Sequence, residues 1–362
     1  MPACRVWLVL TVTRPRVVLL CLIGMMLLGL WDSRPAPSQR TSPRGGDINL
    51  FRAVVERLKA GEPYYAAMRT ELRARGYPTA SIFNWRPPGT FLLLAWAPGL
   101  MHAAMLALAA LALAMTVYAF RNDPPAVTFA AIVLQIGAVV FPAIPTDGLY
   151  MPESWVGIFL LLSVLAYTVG AVRLAVICAV AAACARELAL PYVVASLAFA
   201  LRARRTDEVR WYAIGLLVFA VYYLTHVAIA RSHMQPGDMF HTASWIAFGG
   251  WHFVIRTVGM GGWYLLLPLW TAAIGAVVVL ASLWGPADRH LKAMVIIYVG
   301  VFSIIGQRFN TYWGLMTGPA WGLATVYGFM ALHDLIRASI NGRDHPRRDG
   351  SRPRQLPSPP AV

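Results

Sequence analysis

Acidic residues are scarce in this chain, which has 16 Asp and Glu against 31 Lys and Arg in 362 residues. Asp47 follows two glycines and opens a polar segment. It could cap a helix, or it could act as a general base that takes a proton from an attacking hydroxyl. Capping is the simpler interpretation for the residue taken alone. The glutamate of a capping box is absent, since position 50 is Leu.

Glu153 follows Pro152 and begins an apolar segment. A carboxylate there either stabilises a helix N-terminus or serves as a functional acid at the membrane edge. Asp147, in the stretch "TDG", competes for the second role, but its neighbours are typical of a turn.

Arg186 and Glu187 interrupt an otherwise apolar stretch, "ARELALP". Charges at membrane depth are costly unless they are paired or functional. The two residues could form an ion pair that holds two short helices. Alternatively, Arg186 could bind a phosphate, whose geometry a guanidinium matches. Arg308, in "GQRFNTYWG", is a second phosphate candidate, unless it is an interfacial residue whose charged end reaches towards water.

The composition is typical of a polytopic membrane protein, with 58% hydrophobic residues and only 13% charged. The net charge of +15 does not indicate nucleic-acid binding, because the arginines flank apolar segments, as positive-inside topology requires. The histidines between residues 233 and 252 lack zinc-ligand spacing, so no zinc site is predicted.

The apolar stretches predict an all-α transmembrane bundle of about ten membrane segments. A cytoplasmic arm (1–14) precedes this domain (15–336), and a disordered basic tail (337–362) follows it. The predicted segments are 15–31, 101–120, 126–142, 153–171, 174–185, 188–201, 211–230, 263–284, 293–307 and 313–336.

The basic stretch 202–210 and Arg173 should both face the cytoplasm. They can do so only if the chain turns within 185–191, since a single straight span would place them on opposite sides. The turn then places Arg186 and Glu187 near the external face. This topology predicts cytoplasmic termini and external regions at 32–89, 143–152 and 231–262.

The first external region contains two predicted amphipathic helices. One begins at Asp47 and ends at Gly61, before Pro63, and the second ends at Gly76. Such helices bury their apolar stripes in the membrane interface or against the bundle. The apolar positions recur with helical spacing at Ile48, Leu50, Phe51, Val54, Val55 and Leu58, and then at Tyr65, Met68 and Leu72.

Three motifs resemble a bacterial family of cell-surface glycopolymer formation proteins. They are "GD…LFRAVVERLKAGEPYYAAMRTELRARGYPTASIFNWRPPG", "GLYMPESWVGIFLLLSVLAY" and "ARELALPYVV". That family is similar to a branch of the GT-C superfamily, whose members include polyprenol-phosphate-mannose-dependent mannosyltransferases. The resemblance covers about residues 44 to 336. It implies a GT-C-type helix bundle with amphipathic helices in the first external loop.

The resemblance also implies an inverting glycosyltransferase of the bacterial inner membrane, with its active site facing the periplasm. A polyprenyl-phosphate hexose, such as mannose, would be the donor, and a surface glycan or glycolipid the acceptor. No bound cofactor is expected, and no metal is indicated, because the paired acids of some superfamily members are not evident. The implied site residues are Asp47 and Glu153 (catalytic), Arg186 and Arg308 (donor phosphate), and Glu187, Arg86, Tyr64 and Tyr65 (supporting).

A transporter or flippase of lipid-linked glycans is the alternative function, and a catalytically inactive assembly subunit is a third. Transporters place polar groups at mid-membrane on broken helices. Here the polar residues cluster at the external ends of the segments and in the first loop. This distribution favours the transferase.

Overall fold

The structure is a computed structural model that describes residues 15–33, 46–239, 246–307 and 309–341. Within these ranges the regular secondary structure is helical, apart from one isolated antiparallel bridge between Ile246 and Ile305. The predicted all-α class is therefore confirmed. The helices are α1 (Pro15–Asp32), α2 (Gly46–Lys59), α3 (Tyr64–Ala74), α4 (Gly89–Trp96), α5 (Pro98–Phe120), α6 (Pro125–Gln135), α7 (Phe141–Ala143), α8 (Pro152–Thr168), α9 (Val172–Ala185), α10 (Leu190–Arg202), α11 (Thr206–Ser232), α12 (Gly250–Gly259), α13 (Leu269–Ala281), α14 (Arg289–Ile304) and α15 (Gly314–Asn341).

Three of the described helices, α1, α5 and α11, are long and apolar enough to cross a membrane. Several others are apolar but shorter than 18 residues, including α8, α9 and α13. The ten-segment topology therefore stays a prediction. The last helix, α15, continues to Asn341, beyond residue 336, at which the domain was predicted to end.

Helix α8 lies at the centre of the bundle and packs against α5, α9, α14 and α15. Nearly all of its residues are buried. Helices in lipid associate through close packing of small residues rather than through the hydrophobic effect. Gly157 of α8 meets this requirement, because a Cβ atom there would lie 2.3 Å from the backbone oxygen of Leu315 on α15.

Helix α11 has an apolar outer surface. Leu217, Val221 and Leu224 on this surface are each about 60% exposed or more. A continuous apolar face of this kind is unfavourable in water and is typical of a helix that contacts lipid. The exposed side of α11 therefore agrees with its length and composition, which suit a membrane span.

The two amphipathic helices of the first external region form as predicted, as α2 and α3. Gly61 has a φ of +86°, which ends α2 at a position that favours glycine. Their apolar stripes are buried against each other and against α4, so they pack on the bundle. An ion pair of 2.6 Å between Arg57 Nε and Glu71 Oε1 joins the polar faces of the two helices.

The chain turns between α9 and α10, as the basic flanks predict. Helix α9 ends at Ala185, a 3₁₀ turn follows at Glu187–Ala189, and α10 begins at Leu190. Arg186 occupies the extended residue between them, with φ −157° and ψ 129°. Arg186 therefore lies at the same end of the bundle as the N-terminus of α8.

Candidate functional site

A buried ion pair joins the N-terminus of α8 to the end of α9. Arg186 donates from Nη1 to Glu153 Oε1, and the two side chains are 3% and 0% exposed. The Oε1 atom of Glu187 lies farther away, 3.9 Å from Arg186 Nε. The sequence suggested a pair between neighbours 186 and 187. The closest carboxylate instead comes from Glu153, because α8 and α9 are joined by a short turn and pack side by side.

Trp313 lies over the same arginine. The guanidinium carbon of Arg186 is 5.9 Å from the centroid of the Trp313 ring, within the range of a cation–π contact. Trp313 is buried and belongs to the 3₁₀ turn Asn310–Trp313, between α14 and α15. This turn therefore forms one wall of the site around the ion pair.

Arg86 is the second buried arginine near this wall. Its Nη2 donates to the Tyr312 hydroxyl at 3.1 Å, and its Nη1 donates to the carbonyl oxygen of Phe83. Tyr64 donates from its hydroxyl to the Arg86 carbonyl oxygen at 2.5 Å, which fixes the backbone of this residue. The hydrogen-bond partners of the Arg86 guanidinium are thus neutral, whereas Arg186 bonds a carboxylate.

Asp47 lies in the first turn of α2 and accepts a hydrogen bond from a residue beyond the end of α3. The Tyr77 hydroxyl donates to Asp47 Oδ1 at 2.6 Å. Burial raises the pKa of Tyr77, and the neighbouring Asp47 carboxylate raises it further. Tyr77 therefore stays protonated and orients the Asp47 carboxylate, a contact that the capping interpretation did not include.

Tyr312 lies where these groups converge. Burial raises the pKa of its hydroxyl, and four charged side chains then act on it in opposite directions. The two guanidinium groups lower this pKa and the two carboxylates raise it, so all four lie close enough to interact electrostatically. In decreasing order of effect, they are Arg86, Asp47, Arg186 and Glu153.

The same neighbours stabilise the charged form of Arg86. Burial lowers its pKa, but Tyr312 and the nearby carboxylates raise it more, so the pKa ends above its usual range. The carboxylates that contribute are Glu153, Asp47 and Glu187. The structure thus brings three of the predicted acidic site residues close to one buried cationic side chain.

Several buried polar atoms of this cluster have no hydrogen-bond partner among the described residues. They comprise one acceptor and three donors: Glu153 Oε2, Arg186 Nε, Arg86 Nε and Trp313 Nε1. Each such atom costs about 1–3 kcal/mol if it stays unsatisfied. Polar atoms of this kind, gathered around two arginines, suit an anionic or hydroxyl-rich ligand.

Tyr65 lies beside this cluster and contacts α11. Its hydroxyl is 3.2 Å from His226 Nδ1, and His226 Nε2 is 3.0 Å from the carbonyl oxygen of Trp85. A carbonyl only accepts, so Nε2 carries the proton and Nδ1 accepts from the Tyr65 hydroxyl. Tyr65 therefore ties α3 to α11 and to the residue that precedes Arg86.

The remaining candidates lie apart from this cluster or cannot be placed. Asp147 is 54% exposed and pairs with Arg52 of α2, which leaves Glu153 as the buried acid of this region. Arg308 lies outside the described residues. In the described part of the chain, no group of three or more His, Cys, Asp or Glu side chains is placed to hold a metal ion.

Sequence reasoning missed Tyr77, Tyr312, Trp313 and His226. Tyr77 stands in the turn-rich stretch "GYPTASIFNWRPPG", and Tyr312 and Trp313 follow Asn310 in "NTYWG". An aromatic residue in an external loop is usually interfacial, so its type alone gave no functional signal. His226 was hidden because it lies within the apolar pattern of α11.

The chain was compared with protein-family models, with curated proteins and with solved structures, and none of the three comparisons gave a match.

Proposed function

We propose that this protein is an integral-membrane glycosyltransferase that transfers a sugar from a polyprenyl-phosphate donor to an acceptor hydroxyl. The observation that carries the proposal is the convergence of Asp47, Arg86, Glu153 and Arg186 around Tyr312. This cluster offers a carboxylate for proton transfer and two guanidinium groups for a phosphate. The sugar would be a hexose such as mannose, and the acceptor a surface glycan or glycolipid.

Asp47 is the proposed general base. Its Oδ1 is held by the Tyr77 hydroxyl, and the carboxylate takes the proton of the acceptor hydroxyl as that oxygen attacks the anomeric carbon. The new carbon–oxygen bond forms as the bond from the anomeric carbon to the phosphate oxygen breaks. The electron pair of the broken bond leaves with the polyprenyl phosphate, and the anomeric configuration inverts.

Arg86 is better placed than Arg186 to stabilise that leaving phosphate. The charge of Arg186 is compensated by Glu153 at hydrogen-bond distance, whereas the guanidinium of Arg86 bonds neutral partners. The Nε atoms of both arginines are without partners among the described residues. Arg86 therefore moves from a supporting role to the principal phosphate contact in this proposal, and Arg186 contributes from Nε.

A cavity of about 360 Å³ supports the proposal that the donor carries a lipid chain. It lies between α6, α13 and α15, and its lining is almost entirely apolar, with Trp263, Trp270 and Trp321 among the aromatic side chains. A cavity of this chemistry suits a hydrocarbon chain. The proposed location is the bacterial inner membrane, with both termini in the cytoplasm and the site facing the periplasm.

The test is a transfer assay with the full-length protein in lipid and a polyprenyl-phosphate hexose as donor. Replacing Asp47 by Asn should lower the transfer rate by a factor of about 10²–10⁴, the usual contribution of a general base. Asp147→Asn is the matched control, because Asp147 is exposed in the second external region and pairs with Arg52. That variant should keep the wild-type rate.

Undiminished transfer by Asp47→Asn would contradict the assignment of the base. Wild-type protein that turns over no lipid-linked donor, but moves lipid-linked glycans across vesicle membranes, would instead support the transporter.

A further inference from the structure

A second cavity lies at the opposite end of α8 from Glu153, and charged side chains line it. Its volume is about 910 Å³, and its lining comes from three connections, those of α8 to α9, α10 to α11 and α13 to α14. Tyr167, Arg205 and His290 are among the residues that line it. The proposed transfer chemistry uses no residue of this cavity.

Three helices begin at the cavity. Val172 starts α9, Thr206 starts α11 and Arg289 starts α14, and each of these residues lines it. A helix N-terminus presents unpaired backbone N–H groups and a partial positive charge. Asp288 already caps α14 by accepting from the His290 backbone N–H, and acidic residues also lie in the first turn of α11. The first turn of α9 carries no acidic residue, so its N–H groups favour an anion.

The charged side chains of the lining are formally balanced, with three arginines against three carboxylates. Each of the carboxylates already has a cationic or hydroxyl partner. Asp207 pairs with Arg210, Glu208 accepts from Tyr167 and Arg205, and Asp288 accepts from His290. Two lining arginines, Arg204 and Arg289, form no ion pair with the described residues.

His290 supplies a buried polar atom without a partner. The residue is 1% exposed, its ring stacks on Tyr167 with centroids 3.5 Å apart, and its Nδ1 is 2.8 Å from Asp288 Oδ1. Its Nε2 is buried and makes no hydrogen bond within the described ranges. In either protonation state Nε2 can bond a phosphate, by accepting from a P–OH group or by donating to a phosphate oxygen.

We infer that this cavity binds the phosphate group of an anionic molecule. Arg204 and Arg289 contact the phosphate from the rim, and His290 contacts it from the floor. Two sources offer the same chemistry: the headgroup of an anionic phospholipid, and a soluble phosphate compound.

The test measures ligand affinity of the full-length protein from the shift of its thermal unfolding. Inorganic phosphate is titrated against chloride at constant ionic strength, with the protein in phosphatidylcholine nanodiscs, and phosphatidic acid is titrated in the bilayer separately. The double variant Arg204→Asn with Arg289→Gln removes both rim charges. Asn suits position 204, where φ is +54°, so the backbone there is unstrained.

The double variant should bind the effective ligand at least about tenfold more weakly than wild type, since each arginine provides a charge-assisted hydrogen bond. Arg173→Gln is the matched control. Arg173 is exposed in the first turn of α9, does not line the cavity and forms no ion pair with the described residues, so its loss should leave affinity unchanged. A response to inorganic phosphate identifies a soluble ligand, and a response to phosphatidic acid alone identifies a lipid. Equal affinity in the double variant and Arg173→Gln overturns the inference, as does a wild-type protein that responds to neither ligand.

Discussion

The ion pair between Glu153 and Arg186 makes a quantitative prediction about stability. Both side chains are almost fully buried. Replacing Glu153 by Gln keeps the shape of the side chain but leaves Arg186 without its close carboxylate. Removing one partner of a buried pair usually costs about 3–5 kcal/mol, because the other charge stays desolvated. Glu187, with Oε1 3.9 Å from Arg186 Nε, compensates in part, so we expect about 3 kcal/mol.

A double-mutant cycle separates the interaction from the individual substitutions. The variants are Glu153→Gln, Arg186→Gln and the double substitution, and the free energy of unfolding is measured by reversible denaturation in mixed micelles. Since the double variant buries no unpaired charge, it should be more stable than the sum of the single effects predicts. We expect a coupling energy of at least about 2 kcal/mol, well above the additivity of independent sites.

The exposed pair between Arg52 and Asp147 is the matched control for this cycle, since the two side chains are 44% and 54% exposed. Water screens that pair, so its coupling energy should be about 0–1 kcal/mol. Additivity within about 0.5 kcal/mol for Glu153 and Arg186 would refute the reasoning. On the proposed function, the double variant should also lose transfer even where its stability is recovered.

Two further predictions concern the rest of the fold. Burial raises the pKa of Asp238, but a backbone N–H and Arg73 lower it more, so the pKa lies below its usual range. Its stabilising contribution is present above the unfolded pKa of about 3.9 and is lost as pH falls through the folded pKa, so the melting temperature of Asp238→Asn should depend less on pH in acid than that of wild type. Gly157→Ala should cost about 1–3 kcal/mol in thermal unfolding, because its Cβ would meet the Leu315 carbonyl at 2.3 Å. Gly300→Ala, with no atom within 4 Å of the new Cβ, should instead be neutral or stabilise by up to about 1 kcal/mol, and an equal loss in both variants would contradict the packing argument.

The elements that the sequence predicted well are those with local signals. Gly61 and Gly76 have positive φ and end α2 and α3 close to the predicted positions. The turn within 185–191 was predicted from the side on which its basic flanks should lie, and α9 and α10 do separate there. The helix ends depend on residues within a few positions of one another. The turn depends on counting how often the chain must cross the membrane between its basic flanks. A single sequence is sufficient to find both.

The contacts of the candidate site depend on tertiary packing and could not be predicted. Arg186 and Glu153 are 33 positions apart, and their pairing follows from how α8 lies against α9. Asp47 and Tyr77 are 30 positions apart and meet because the chain folds back after α3 towards the start of α2. The sequence named the acids and arginines, but it could not distinguish the compensated arginine from Arg86, since burial and partner identity are properties of the folded chain.

On the proposed function, this difference between the two arginines matters for catalysis. The reaction moves negative charge away from Asp47, which gains the acceptor's proton, and onto the leaving phosphate. The charge of Arg186 is already compensated by Glu153, so Arg186 adds little stabilisation to the charge that develops on the phosphate. Arg86 interacts with Asp47 in the resting site, and its guanidinium has a neutral partner in Tyr312. As the Asp47 charge is neutralised, the attraction of Arg86 is transferred to the developing phosphate charge. That interaction is stronger in the transition state than in the ground state, which is the condition for it to raise the rate rather than only the affinity.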